Sequence, residues 1–401
     1  MHEQENISRR EFVQDSVVKA GLAVFAGGVL GAGVLRAADS TPAAPPAVTP
    51  PAPAAIPKVQ HRRLGRTKIE VSEIVGASDG LGDFLLFMQA YNAGMNYFHK
   101  AERAFSNPRQ REVLLKNRER IYLDVVIDNL EEQAAYNEFE AKRKQIGSDY
   151  VDFFKVHSTW GTVEDFKTKR GVLAAYDRLK KEGKARWLAL SKHGGNTPEV
   201  LTAAMESDLF DAIQPAVPDI KDFQQVLAVA RKHDVGVICM KTNAALKSKL
   251  PEIAKFGDPT KPHQTYYRYL LSLEGVTAIV SHIQNFDQLR ENLGASGAPM
   301  LKSEIEALTL ALAQAPVNYR DCITCGECHA ACPDQLAVAD IMRYRMYAED
   351  YGDWTTARAH YAQLPAAWKQ TLATGQGIDA TACPYGLPLA AELKQAHHWL
   401  A

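Results

Sequence analysis

From residue 61 onward, short runs of consecutive apolar residues alternate with longer stretches whose apolar residues recur every three or four positions. The runs at 73–77, 96–99, 121–127, 151–157, 185–191, 212–216, 236–240 and 277–281 read as strands buried on both faces. The stretches at 130–146, 163–181, 223–233 and 286–293 read as amphipathic helices, with a weaker pattern over 102–116. Gly147, Gly183 and Gly275 stand where a helix must stop before the next strand. Eight strands mostly separated by helices predict a (β/α)8 barrel over 58–315, in preference to an open doubly wound sheet.

The ends of the chain have other patterns. Ser8-Arg9-Arg10-Glu11-Phe12-Val13 precedes a Gly- and Ala-rich apolar stretch over 20–35, followed by Arg36-Ala37-Ala38. A charged start, a short apolar middle and small residues suited to a peptidase predict a cleaved export signal over 1–38. The paired arginines resemble a twin-arginine signal, which implies export of a folded protein to the periplasm. An uncleaved membrane anchor and a chance Arg-Arg pair are the competing readings. Residues 39–57 are so rich in Pro and Ala that they favour an extended tether.

The 401 residues carry 46 Lys and Arg against 47 Asp and Glu, a net charge of −1, and are 46% hydrophobic. That balance excludes global disorder and gives no basic surface for nucleic-acid binding. Any membrane association is left to the export signal.

The sharpest chemistry lies at 316–401. Cys322, Cys325, Cys328 and Cys332 are followed by Pro333, the spacing C-x2-C-x2-C-x3-C-P of bacterial iron–sulfur proteins. An echo, Ala382-Cys383-Pro384 with Leu387, repeats Ala331-Cys332-Pro333 with Leu336, so 316–401 resembles a two-cluster ferredoxin module whose second half has lost three ligands. It is expected to be a small, mostly helical domain holding one [4Fe–4S] cluster on Cys322, Cys325, Cys328 and Cys383, with Cys332 as the alternative fourth ligand. Zinc and paired disulfides are the competing readings. Cys239, inside a strand, reads as a small buried hydrophobe.

Several landmarks resemble the aldo-keto reductase superfamily: Arg63-Leu64-Gly65-Arg66-Thr67 with Val71-Ser72, Gly94-Met95-Asn96-Tyr97-Phe98, Ser148-Asp149-Tyr150-Val151-Asp152 leading to His157, then Gln214, Gln288 and Asn292. The resemblance covers about 61–315. It implies a barrel with NADP(H) at its C-terminal mouth and an Asp–Tyr–Lys–His tetrad for carbonyl reduction. His157 matches the tetrad His, but His99 stands at the Asp position, Ala104 at the Tyr position and Val126 at the Lys position. Ser191, Gln214, Gln288 and Asn292 match cofactor-contacting positions. Lys192, His282 and Gln284 replace the family's Asn, Gly and Arg, and the Tyr that usually follows Gln214 is missing. Some relatives carry a C-terminal ferredoxin-like domain.

His99, Lys100, Lys155, His157, Lys192, His193, Lys241 and His282 all fall near C-terminal strand ends. They read either as rim residues paired with acids such as Glu102 and Asp124, or as a pocket for a small anionic substrate or a metal. Three functions follow. The first is an exported oxidoreductase whose cluster relays electrons between the mouth and a redox partner protein. The others are a non-catalytic binding barrel with a structural cluster, and an ordinary NADPH-dependent aldehyde or ketone reductase.

Overall fold

The structure, a computed structural model, describes residues 55–401 apart from 78–79, 105–106, 158–159, 195, 218–222, 324 and 380. The export signal and most of the 39–57 tether lie outside the described residues. β1 (His61–Arg63) and β2 (Glu70–Ser72) form an antiparallel hairpin. β3 (Ile74–Ala77), β4 (Tyr97–His99), β5 (Tyr122–Ile127), β6 (Val151–His157), β7 (Ala185–Lys192), β8 (Ala212–Pro215), β9 (Gly236–Cys239) and β10 (Val276–Ser281) are parallel and close into a barrel, β10 pairing with both β3 and β9. The expected (β/α)8 architecture is therefore the observed one. Gly147, Gly183 and Gly275 take φ of +81°, +71° and +104°, as helix stops require.

Strand alternation decides which residues enter the barrel. Tyr97, Phe153, Ala189, Ala212, Ile238 and Ala278 pack on Leu64 and Val71 of the hairpin and fill the lower interior. Their outward neighbours Phe98, Phe154, Leu190, Ile213, Val237 and Ile279 pack in the core shared with the helices. Two residues further along each strand, the same inward face carries His99, Lys155, Ser191, Gln214 and Met240.

Two expected helices are broken, and the C-terminal end is likewise divided. The stretch over 163–181 forms Val163–Thr168 and Gly171–Lys181, because Lys169 leaves helical geometry (φ −92°, ψ 75°). Gly171 runs so close to the 130–132 backbone that a Cβ there would stand 2.7 Å from the Glu132 nitrogen. The 102–116 pattern forms Ala101–Ala104 and Pro108–Lys116, the second capped by Asn107, whose side chain accepts from the Arg109 N–H. The C-terminal 357–374 stretch forms Trp354–Ala362 and Ala366–Thr374, with Pro365 interrupting the backbone ladder.

The residues after the barrel have their own core, which Leu336, Ile341, Met342, Met346, Leu372, Leu393 and Leu400 build with Cys328 and Cys332. Ala244, from the helix that follows β9, joins that core. The C-terminal residues thus continue the barrel's packing at its mouth.

Candidate functional site at the barrel mouth

A buried ionic network spans the upper interior. Asp124 accepts from Lys155 Nζ at 2.6 Å and from His99 Nδ1 at 3.0 Å, and its Oδ1 also takes the Lys100 backbone N–H at 3.0 Å. Lys155 Nζ also donates to Gln214 Oε1 at 2.5 Å. Lysine only donates, so Gln214 turns its oxygen to Lys155 and its amide nitrogen to His99 Nε2 at 3.4 Å. With Nε2 accepting, His99 donates from Nδ1 to Asp124, and Lys155 Nζ, 3.2 Å from that nitrogen, is a contact and not its donor. Burial works to raise the Asp124 carboxyl, but His99 and Lys155 hold it well below the usual carboxylate range. Burial pushes His99 down to about 4, helped by Lys155 and Lys100 and opposed by Asp124. The network thus carries one cation, one anion and a neutral imidazole.

Lys155 is in register with Val126, the position where the family resemblance expects lysine. A lysine ammonium therefore reaches the same height of the barrel from the next strand, and Asp124 receives it from two residues below Val126 on the same face. The sequence reading had no role for this pair beyond a rim contact.

His157 and His193 continue the inward face upward. Arg343 Nη1 donates to His193 Nδ1 at 2.6 Å. With Nδ1 occupied as acceptor, neutral His193 carries its proton on Nε2 and donates it to His157 Nε2 at 3.0 Å. His157 then donates from Nδ1 to Asp128 at 2.6 Å. Burial lowers His157 to about 4, with Lys100 and Arg343 adding and Asp128 opposing. Burial and Arg343 push His193 well down too.

Arg343 belongs to the Val338–Tyr351 helix, which crosses the mouth. At successive turns Arg343 meets His193 beyond β7, Tyr347 meets Lys241 beyond β9, and the Tyr351 ring lies 5.9 Å from that of His282 beyond β10. Tyr347 Oη is 3.4 Å from Lys241 Nζ, which sits 4.4 Å above the same ring. Burial works to raise the Tyr347 phenol, but Lys241, Arg343 and Lys100 outweigh it and bring it down to about 8. A tyrosine–lysine pair therefore exists at this mouth, reaching His157 through Arg343 and His193. The sequence reading missed it, although 343, 347 and 351 recur at the four-residue spacing of one helix face.

The roof is sewn down on the helix after β9 and on the β7 end. Asp321 accepts from Ser248 Oγ at 2.7 Å and Lys249 Nζ at 3.0 Å, and Asp350 from Lys247 at 3.0 Å and Arg320 at 2.8 Å. The Gly194 N–H donates to the Ile323 carbonyl at 2.8 Å.

Ile323 lies inside the cysteine run. There, short 3-10 turns (Asp321–Ile323, His329–Ala331, Pro333–Gln335) and Gly326 at φ +83° curl the chain around Cys322, Cys325 and Cys328. Tyr385 Oη donates to Glu327 at 3.0 Å, which brings the turn holding Cys383 to the same place. All six cysteines are free thiols. Burial, then the nearby Cys328, Cys325 and Cys383, push the Cys322 thiol up, so these four sulfurs are neighbours. Cys332 has a different neighbour, the Cys328 thiol to which it is hydrogen-bonded. Among the described residues no three His, Cys, Asp or Glu side chains form a group that could hold a metal ion. The glycine turn and the neighbouring thiols of Cys322, Cys325, Cys328 and Cys383 are sulfur donors of the kind an iron–sulfur cluster takes. Cys239 is fully buried in β9, away from this set.

The expected NADP(H) contacts divide. Asn292 donates to Ser281 Oγ at 2.8 Å and leaves its own buried oxygen without a partner, so this corner fits the adenine contact that the resemblance implies. Gln288 is spent on the Gln284 N–H, at 2.7 Å. Ser191 is buried against Met240, and Gln214 is held by Lys155 and His99. The nicotinamide end, roofed by the crossing helix, does not fit the cofactor as the family would hold it.

Solved structures of an aldo-keto reductase from Bacillus halodurans, AKR11C1, superpose on this chain in the holo and apo forms with TM-scores of 0.52 and 0.51 at 17% identity. They cover 66% of this chain and 99% of theirs. The barrel has the aldo-keto reductase fold. An uncharacterized oxidoreductase of Bacillus subtilis (strain 168), YqkF, is 24% identical over 297 residues, 62% of this chain and 95% of its own length. No family model matches the chain. About a third of this chain has no counterpart in the aldo-keto reductases superposed.

Proposed function

We propose that this chain is an exported oxidoreductase built on an aldo-keto reductase barrel. One [4Fe–4S] cluster, on Cys322, Cys325, Cys328 and Cys383, exchanges electrons between a redox partner protein and a small substrate at the roofed mouth. The observation that carries the reading is the Gly194–Ile323 hydrogen bond, which ties the cysteine run to the strand end bearing His193. Such a cluster, when bound, supplies or accepts one electron at a time. The barrel's residues supply the rest. Asp124, Lys155 and Gln214 make a fixed polar floor, and the neutral His157–His193 pair offers a place to take up or pass a proton at Nε2. Folding around a cluster before secretion is what a twin-arginine signal permits.

NADPH-driven carbonyl reduction is weaker, because Ala104 and Val126 stand at the tyrosine and lysine positions and Gln214 is already engaged. Anaerobic purification with iron and sulfide analysis tests the proposal. About four irons and four sulfides per chain, a dithionite-bleached visible band, and loss of that band in Cys383→Ser but not in Cys332→Ser are expected. A colourless protein holding zinc or disulfides overturns it, and so does turnover of aldehydes by NADPH that disappears in His157→Ala.

A further inference from the structure

We propose that the cavity between Lys100 and Lys241 is a binding site for a small hydroxycarboxylate, a substrate class that rests on the redox reading for its chemistry but not for its binding. The cavity, about 100 Å³, lies between the ends of β3, β4, β9 and β10, with His282, Asn243 and Tyr351 on its walls. That volume holds several waters, and so an acid of two or three carbons.

The charge of the walls is unbalanced. Three of the mouth's acids are engaged elsewhere, Asp124 with Lys155 and His99, Asp128 with His157, and Asp340 with Arg343 at 2.7 Å, and burial raises the fourth, Glu102, toward its neutral form. Neither Lys100 nor Lys241 has a carboxylate within ion-pair distance among the described residues, and the contact found for Lys241 Nζ is the Tyr347 phenol. Two half-buried ammonium groups facing one cavity repel each other and favour whatever anion enters between them.

Both lysines also have left-handed backbones, Lys100 at φ +52° and Lys241 at φ +64°. A non-glycine residue pays for that conformation, and two at one cavity mark strain of the kind retained where side chains must be aimed. Nothing about capping accounts for the second: Lys241 precedes the Thr242–Ile253 helix without a side-chain cap. Asn243 supplies the discriminating group. Its side-chain oxygen is buried without a hydrogen-bond partner and accepts only from a donor. A simple carboxylate has none to offer. A hydroxyl beside the carboxylate completes the match.

Isothermal titration of the holoprotein with glycolate and with acetate tests the site. Glycolate is expected to bind one to one, about tenfold or more tighter than acetate, and Lys100→Met and Lys241→Met to weaken it about tenfold or more. Lys100→Arg and the exposed Lys232→Met are expected to leave binding within about threefold of wild type. Where a methionine variant does not fold, protection of the wild-type Lys100 and Lys241 amines from acetylation by glycolate, read by mass spectrometry, decides. Absence of saturable glycolate binding, equal affinity for acetate, or amines left unprotected overturns the site. Iron analysis of the same preparation separates the two ideas. A cluster with no glycolate binding sinks this inference alone, and glycolate binding to iron-free protein sinks the redox reading alone.

Discussion

His157 and His193 meet nitrogen to nitrogen, Nε2 to Nε2 at 3.0 Å, and the groups on either side fix which of them donates. Arg343 can only give a proton and the Asp128 carboxylate can only take one, so the chain runs in one direction, from Arg343 through both rings to Asp128. Protonating either ring breaks that order.

The pH dependence of stability follows. His99 and His157 titrate near 4 in the folded chain, against about 6.5 unfolded. Between those values the unfolded chain binds more protons, so stability is full above about pH 6.5 and is lost as pH falls toward 4, by roughly 3 kcal/mol per ring at most. Urea unfolding at pH 7.5 and 5.0 should show the loss, and His157→Gln should show less of it. Equal pH slopes for wild type and variant would contradict the assignment.

Breaking the Lys155–Asp124 pair leaves an anion in a fully buried site. Lys155→Met is expected to cost about 3–5 kcal/mol, and Lys155→Met with Asp124→Asn to recover part of that, because the uncompensated charge is gone. Denaturation midpoints of the single and double variants measure it. A single variant as stable as wild type would mean that the ammonium is not where the geometry puts it.

Tyr347 should ionise near pH 8, well before an ordinary phenol, since Lys241, Arg343 and Lys100 favour the phenolate. Ultraviolet titration at the phenolate band is expected to show one early step, absent in Tyr347→Phe and moved upward in Lys241→Met. No early step, or one that survives Tyr347→Phe, counts against the pair.

Gly326 turns the cysteine loop at φ +83°. Gly326→Val forces a β-branched residue into that region, at a cost of about 1–2 kcal/mol or more, and should lower the iron retained per chain. Unchanged iron content would show that the turn is not needed to present the thiols.

Much of the barrel could be read from the sequence because strands buried on both faces leave unbroken apolar runs, and β6 and the Phe286–Leu293 helix fall where the pattern ends them. The broken helices were partly legible, since Pro108 and Pro365 are visible in the chain. The break at Lys169 was not, because it answers to the distant 130–132 backbone. Lys155 lies two residues from both Phe153 and His157, so alternation alone points it inward, yet its pairing with Asp124 depends on register between strands. Arg343 and Tyr347 were out of reach for a different reason. A helix face announces its own stripe but not the strand ends on which it will land.

The helix that closes the mouth lies between Cys332 and Cys383 in the chain, and Asp321 upstream of it and Asp350 in its last turn fasten it to the helix after β9. A chain whose sulfur-bearing loops have not settled would leave its cavity open to bulk solvent. Whatever loosens that roof would then loosen the grip on a molecule lodged beneath it.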